Sequence, residues 1–454
     1  MNILEIIEKK QRGFSLNGSE IAYTVDGYVS GLIPDYQMAA FLMAVYFKGM
    51  NERETFHLTD VMMSSGEILD LKEIKGFKVD KHSSGGVGDK VSLVALPIAA
   101  AAGVKIAKMS GRGLGFTGGT VDKLEAIPGF KVSMTGEEFI KQVDSVGMAI
   151  MGQTGSIAAA DKKIYALRSA TSTVQSLPLI VSSIMSKKLA SGNDAIVLDV
   201  KFGNGALMEK YEDAENLASQ MVKIGKRGGK KMAAVLSSME EPLGVAVGNS
   251  LEVIEAVEIL KGGWFDQDNQ KDENVTKLFR GSEKPVDTLR LSLEIAGNMI
   301  YLAGGAESPA KAKAIAEDNL LSGRALKKFK ALVTAQGGSE DIFADYESFG
   351  LSDNIFEIKS SESGYIHSIR TDIIGKAALS AGVGRVKKND PIDFSAGIII
   401  LNKIGDYVEK GRTLARITGR ELNRLEEGIE ALENTFIIRP EKAIKSKLIG
   451  GLII

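Results

Sequence analysis

The sequence predicts an α/β protein: a helical domain joined to an α/β domain with a mixed or parallel sheet, and a C-terminal β-rich α+β domain. Three observations predict it. Residues 1 to about 65 carry helical periodicity with no strand signal, and residues 76 to 125 repeat strand, glycine-rich loop and helix twice. From about residue 345 the chain breaks into short apolar runs separated by glycine and aspartate.

In order, MNILEIIEKKQRG reads as a first helix and residues 18–29 as a second, and Pro34 opens a third at a position where a first turn tolerates proline. After Ser64, Ser65 and Gly66, GFKVD (76–80) reads as a short strand, followed by a helix from about Asp89. The apolar run Val91 to Val104 is too short to span a bilayer and contains a proline, so it reads as a buried helix. KIAKMS (105–110) reads as the second strand, and TVDKLE (120–125) as a helix start with acidic residues in its first turns. Residues 160–191 are helical in pattern again. AIVLDVKFGNG (195–205) reads as a strand buried on both faces, KKMAAVLSS as a further strand, and residues 250–260 as a helix. The charged stretch from about 262 to 285 reads as a surface insertion, and two helices fit 285–335. The expected division is 1–66 with 160–193 as the helical domain, 70–155 with 194–335 as the α/β domain, and 345–454 as the C-terminal domain.

Composition narrows the function. A net charge of −2 over 454 residues gives no electrostatic case for nucleic acid or membrane as partner. Without cysteine there is no disulfide, thiolate metal site or cysteine nucleophile, and with three histidines (His57, His82, His367) a histidine-rich metal site is not expected. The N-terminus lacks the apolar core and cleavage site of a secretory signal, so a cytoplasmic location is expected.

Residues 80–125 hold the chemistry. Neither glycine-rich loop matches a dinucleotide fingerprint or a P-loop: Gly111, Gly113 and Gly115 lack the spacing, and GGVGDKVS lacks the GK[ST] ending. What remains is a set of cations and hydroxyls, with Lys81 and Ser83 at the first loop, Ser92 on the helix after it, and Lys108, Ser110 and Thr120 around the second. If the two strands are adjacent, their C-terminal ends and the following helix N-termini share one crevice suited to an anion such as phosphate. Exposed lysines and serines also commonly just solvate a face.

KHSSGGVGDKVSL and SGRGLGFTGGTVDKLEAIPGF resemble the signature regions of the thymidine and pyrimidine-nucleoside phosphorylase family, as do GQTGSIAAADKKIYALRSAT and SIMSKKLASGNDAIVLDVKFG. The resemblance spans nearly the whole chain. It implies phosphorolysis of pyrimidine nucleosides (thymidine, uridine, deoxyuridine) with inorganic phosphate as cosubstrate, giving free base and a (deoxy)ribose 1-phosphate. It also implies a homodimer formed through the helical domain. Carried over by position, phosphate would be held by Lys81, His82, Ser83, Ser92, Lys108, Met109, Ser110 and Thr120. The base would meet His82, Arg168, Ser183 and Lys187, with His82, Arg168 and Lys187 catalytic. Asp161 and Asp199 are candidates to touch the sugar, and Asp122 and Glu125 to brace the loop. The two halves would close about joints near Gly66, residues 152–155 and residues 191–193.

Three departures from the family stand out. Phe116 follows SGRGLG where the family usually has histidine, so base preference is expected to shift. Lys90 replaces a threonine beside an expected monovalent-cation (K+) site whose other ligands would be Gly88, Leu243, Ala246 and Glu255; its ammonium would pair with Glu255 and make the ion unnecessary. The 262–285 stretch is longer than the family leads one to expect. Two other readings stay open: an enzyme like anthranilate phosphoribosyltransferase, and a non-catalytic nucleoside-binding homologue.

Overall fold

The computed structural model describes residues 1–113, 118–153, 155–264, 272–385 and 390–454. Phe116, the 265–271 part of the charged stretch, and residues 386–389 lie outside them.

The chain opens with α1 (Ile3–Gln11), α2 (Gly18–Val29), α3 (Asp35–Lys48) and α4 (Glu52–Ser64). Asn17 and Asn51 start α2 and α4 with capping boxes closed by Glu20 and Glu54, which fixes these boundaries locally. The apolar faces of α1–α4 form one core with Ala160, Ile164 and Leu179 from later in the chain.

Then come β1 (Val79–Ser83), α5 (Val91–Ala101), β2 (Ile106–Ser110), α6 (Thr120–Glu125), α7 (Gly136–Val146) and β3 (Met148–Gly152). Next are α8 (Ala159–Ala170), α9 (Leu177–Ala190), β4 (Ala195–Phe202), α10 (Tyr211–Arg227), β5 (Lys231–Ser238), β6 (Ala246–Val247) and α11 (Asn249–Leu260). β1 lies three residues later than GFKVD suggests, because parallel pairing with β4 runs from Val79 opposite Ala195 to Ser83 opposite Asp199. Lys81, His82 and Ser83 therefore sit on the strand itself. α5 is apolar apart from Ser92 and buried from Val91 to Ala100.

β1, β4 and β5 form a parallel sheet, and β2 pairs with β3 alone. β1 and β2 touch at their starting ends, where Val79 N donates to Lys105 O at 2.9 Å and Lys105 N to Phe77 O at 3.1 Å, and then diverge. The carbonyls left without a ladder are taken by side chains: Lys108 Nζ donates to Lys81 O, Lys188 Nζ to Met109 O (2.8 Å) and Asn193 Nδ2 to Ala107 O (2.9 Å). This split creates the crevice.

The described part of the charged stretch lies mostly at the surface but is anchored in the core. Its α12 (Glu273–Phe279) buries Val275, Leu278 and Phe279 in the main core, and Trp264 packs edge-on against Phe279. The apolar i, i+3, i+4 spacing of those three residues outweighs the surrounding charge. Three helices, not two, follow: α13 (Val286–Leu302), α14 (Pro309–Leu321) and α15 (Arg324–Ala335), divided at Gly304–Gly305 and Gly323.

The C-terminal part contains β7 (Ile355–Lys359), β8 (Gly364–Ile369), α16 (Thr371–Ala381), β9 (Gly397–Ile400), β10 (Tyr407–Val408), β11 (Thr413–Thr418), α17 (Leu422–Leu432), β12 (Phe436–Arg439) and β13 (Ile449–Ile453). It is stitched to the rest twice, since β6 pairs with β9 and β13 returns to run antiparallel to β5. β13 thereby covers the open edge of β5. Among the described residues no helix is long and apolar enough to cross a membrane.

Candidate functional site

A cleft of about 600 Å³ lies where β1 and β2 diverge, faced by α8 and α9. Its walls include His82, Ser83, Ser92, Lys108, Met109, Ser110 and Thr120 on one side and Asp161, Arg168, Ser183 and Lys187 on the other. Residues from three distant stretches meet because the β1–β4 pairing brings α9, which directly precedes β4, alongside the end of β1.

Lys81 is the exception on the anion side. It is fully buried beneath the cleft, 3.2 Å from Asp199 and 4.0 Å from Asp89, and among the described residues its ammonium has no hydrogen-bond acceptor. Asp199 is likewise displaced from the cleft: it accepts from Lys201 Nζ at 2.8 Å and Ser237 Oγ at 2.6 Å, so it neutralises buried lysines and is not placed to touch a sugar. Asp89 accepts from Ser83 Oγ. Burial opposes its charge, but Lys201 and Lys81 hold its carboxyl far below the usual range. Four lysines (Lys81, Lys108, Lys188, Lys201) thus meet three aspartates (Asp80, Asp89, Asp199) in and beneath the cleft wall, a balance that an incoming anion improves.

Burial also pulls Lys108 down to about 7, with Asp80 opposing that shift and Lys188 and Lys81 adding to it. His82 is depressed well below its ordinary value, first by burial and then by Lys188, Lys108, Lys187 and Lys81, so its ring is neutral at pH 7.

On the facing wall, Arg168 spends three of its five N–H donors on backbone: Nε on Thr173 O (3.3 Å), one terminal nitrogen on Leu179 O (3.0 Å) and the other on Val174 O (2.7 Å). One N–H of each terminal nitrogen remains for the cleft. Lys187 Nζ donates to Asp161 Oδ2 (2.8 Å) and Ser183 Oγ (3.3 Å), which holds its ammonium on the same wall of the cleft as Arg168. The second glycine-rich loop is braced by Asp122, which accepts from Arg112 (3.0 Å), Gly113 N (2.7 Å) and Arg385 (3.1 Å), and by Glu125, which accepts from Arg112 at 2.7 Å.

The three expected joints lie together: Glu67 N donates to Ser156 O at 2.8 Å, and Leu69 N to Ala190 O at 2.9 Å. Sequence reasoning missed Lys188, Lys201, Arg112, Tyr165 and Leu207. For Lys201 a signal was present, since Asp199 and Lys201 are two apart in an otherwise apolar strand and must share a face. Lys188, next to Lys187, carries no such mark.

The donor set Gly88, Leu243, Ala246 and Glu255 lies apart from the cleft, and Lys90 fills it. Its ammonium donates to Leu243 O (2.7 Å), Ala246 O (2.9 Å) and Glu255 Oε2 (3.0 Å), while Gly88 O accepts the Lys90 backbone N–H at 2.9 Å. Burial pushes the Glu255 carboxyl up and Lys90 pulls it back. These residues do not fit a metal ion, because a cation already occupies the same oxygens.

Comparison with known proteins places this architecture. Three family models match: the helical bundle domain of a glycosyl transferase family over residues 4–66, its a/b domain over 75–326, and the pyrimidine nucleoside phosphorylase C-terminal domain over 365–439. A pyrimidine-nucleoside phosphorylase of Geobacillus stearothermophilus is 47% identical over 417 residues, 92% of each chain. Those of Staphylococcus aureus (strain MSSA476) and Bacillus subtilis (strain 168) are 44% and 46% identical over 100% of each chain. The crystal structure of anthranilate phosphoribosyltransferase from Thermus thermophilus superposes with a TM-score of 0.55 at 19% identity, covering 73% of this chain and 98% of that one, a likeness of fold alone.

Proposed function

Because the chain belongs to the pyrimidine-nucleoside phosphorylases, enzymes that cleave pyrimidine nucleosides with phosphate, we propose that it acts on thymidine, uridine and 2′-deoxyuridine through the cleft between β1, β2 and α9. In this reading Lys81, His82, Ser83, Ser92, Lys108, Met109, Ser110 and Thr120 form the phosphate side, and His82, Arg168, Ser183 and Lys187 the base side.

Phosphate oxygen forms a bond to the anomeric carbon as the bond from that carbon to the base nitrogen breaks. The sugar passes through an oxocarbenium-like state beside the phosphate dianion, and the base leaves with the bonding electrons. Negative charge grows on the pyrimidine carbonyl oxygens, where the spare N–H groups of Arg168 and the Lys187 ammonium stabilise it more in the transition state than in the substrate. The neutral His82 ring donates a hydrogen bond between the two halves. Lys90 stands in for a monovalent cation, and no step depends on potassium.

The observation that carries the reading is the two-sided cleft, with cations and hydroxyls on the strand ends facing the buried Arg168 of α8 and the half-buried Lys187 of α9. Incubating the protein with phosphate and thymidine, uridine, deoxyuridine or cytidine, and following base release, tests it. Absence of phosphate-dependent release from all four sinks it. We assign the exposed apolar side chains Leu4, Phe14, Tyr36 and Phe47 of the helical part to a homodimer contact; light scattering that finds a monomer at micromolar concentration refutes that.

A further inference from the structure

We propose that Asp80 and Lys188 are a positioning pair that ties Lys108 to the placement of α9, and thereby couples the phosphate side of the cleft to the base side. The proposal rests on the functional reading above.

The pair fills the gap where β1 and β2 part. Asp80 is fully buried; its Oδ1 accepts the Lys81 backbone N–H at 2.7 Å, and its Oδ2 accepts Lys188 Nζ at 2.6 Å. Lys108 Nζ lies 3.6 Å from the same carboxylate. One buried anion therefore serves two lysines, Lys108 from the phosphate side and Lys188 from α9. Lys188 also donates to Met109 O at 2.8 Å, next to Lys108 in β2, so its ammonium is anchored to both strands.

The sequence position of Lys188 gives this contact its consequence. Lys187, immediately before it, carries the ammonium held by Asp161 beside Ser183, on the base side of the cleft. Adjacent residues of one rigid helix thus reach the two halves of the site. Any shift of α9 that moves Ser183 and Lys187 toward a base also moves Lys188 against Asp80, and changes how much of that carboxylate Lys108 retains.

The charged groups facing Lys108 are Asp80 and Lys81 of β1 and Lys188 of α9. His82, Asp89, Arg112, Asp161, Lys162 and Lys187 also line the cleft. β3 and α5 carry no titratable side chain, and the charged residues of α7 are exposed. Phosphate binding requires the protonated ammonium of Lys108. Removing the Asp80 charge leaves Lys108 facing only like charges, so it loses its proton at lower pH. Removing the Lys188 charge leaves Asp80 to Lys108 alone, so it keeps its proton to higher pH. The two substitutions break the same hydrogen bond yet act in opposite directions on Lys108.

The test is the pH profile of kcat/KM for phosphate at saturating thymidine, in wild type, Asp80→Asn, Lys188→Met and Lys188→Arg, with melting curves for each. Phosphate's own ionisation is common to all four and cancels in the comparison. The expected result is an alkaline limb moved down by about one pH unit in Asp80→Asn, moved up in Lys188→Met, and near wild type in Lys188→Arg. Wild-type protein without phosphorolysis overturns the functional reading and the pair with it. Active wild type, with both charge-removing variants shifting the same way or keeping the wild-type profile at lower kcat, overturns the pair alone. If Asp80→Asn does not fold, an alkaline limb that moves up in Lys188→Met and stays near wild type in Lys188→Arg supports the pair, and a Lys188→Met limb that stays or moves down overturns it.

Discussion

The Lys90 ammonium lies 3.0 Å from Glu255 Oε2 and closes a ring of oxygens with Leu243 O and Ala246 O. Both side chains are fully buried, and the same carboxylate oxygen accepts the backbone N–H groups of Val245 (3.0 Å) and Ala246 (2.7 Å). The start of α5, which follows the first glycine-rich loop, is thereby tied to α11 and to β6, through which the C-terminal sheet attaches.

Two consequences can be measured. Activity and melting temperature of the wild type are expected to be the same in potassium chloride and in a potassium-free, sodium-free buffer. Strict dependence on potassium sinks the replacement. Lys90→Thr leaves Glu255 buried without its cation, at a cost of roughly 3–5 kcal/mol, and potassium but not a bulky organic cation is expected to restore part of the lost melting temperature.

Arg168 holds residues 173–179 by three carbonyls and also faces the cleft, so Arg168→Ala mixes structural and chemical losses. Arg168→Lys separates them better, because a point charge remains while the planar fork is lost. Both are expected to lower kcat by tenfold or more. A folded Arg168→Ala variant within about threefold of wild type, or roughly 0.7 kcal/mol in barrier, removes Arg168 from the mechanism.

Lys108, with its pKa near 7, gives phosphate binding a pH signature. Bound dianion favours the charged ammonium and raises that pKa, so the protein takes up protons on binding phosphate at and above pH 7, and phosphate affinity falls as pH rises through that range. Calorimetric titrations in two buffers of different ionisation enthalpy measure the uptake; none at pH 7.5 contradicts it. In stability the sign is reversed. The unfolded chain binds more protons than the folded one between pH 7 and the ordinary lysine value, so this group lets stability rise with pH across that window and costs stability below it.

Truncation before Ile449 removes β13 and exposes the β5 edge. The expected outcome is a lower melting temperature and concentration-dependent aggregation, read by light scattering. A truncated protein that melts and scatters like the full chain contradicts the assigned role of β13.

Much of this protein is legible in its sequence because much of it is locally encoded. Periodicity marks the helices, and apolar runs mark β4 and β5. The hydroxyls and cations of residues 80–125 announce an anion site before any fold is known. Local signals fail where long-range pairing decides. β1 extends to Ser83 because β4 is there to pair with it, α12 is buried because the main core accepts its apolar face, and β13 leaves the C-terminal part because β5 has a free edge.

Among the site residues, residue type was determined by the sequence and partnership by the tertiary structure. A lysine next to a lysine reads the same at 187 and 188, yet one faces the cleft and the other a buried aspartate; Lys81 lies under the site and Lys90 apart from it. Burial is the reason. A charge removed from water must find its counter-charge, and which aspartate or carbonyl lies within about 3 Å is set by packing between segments a hundred residues apart.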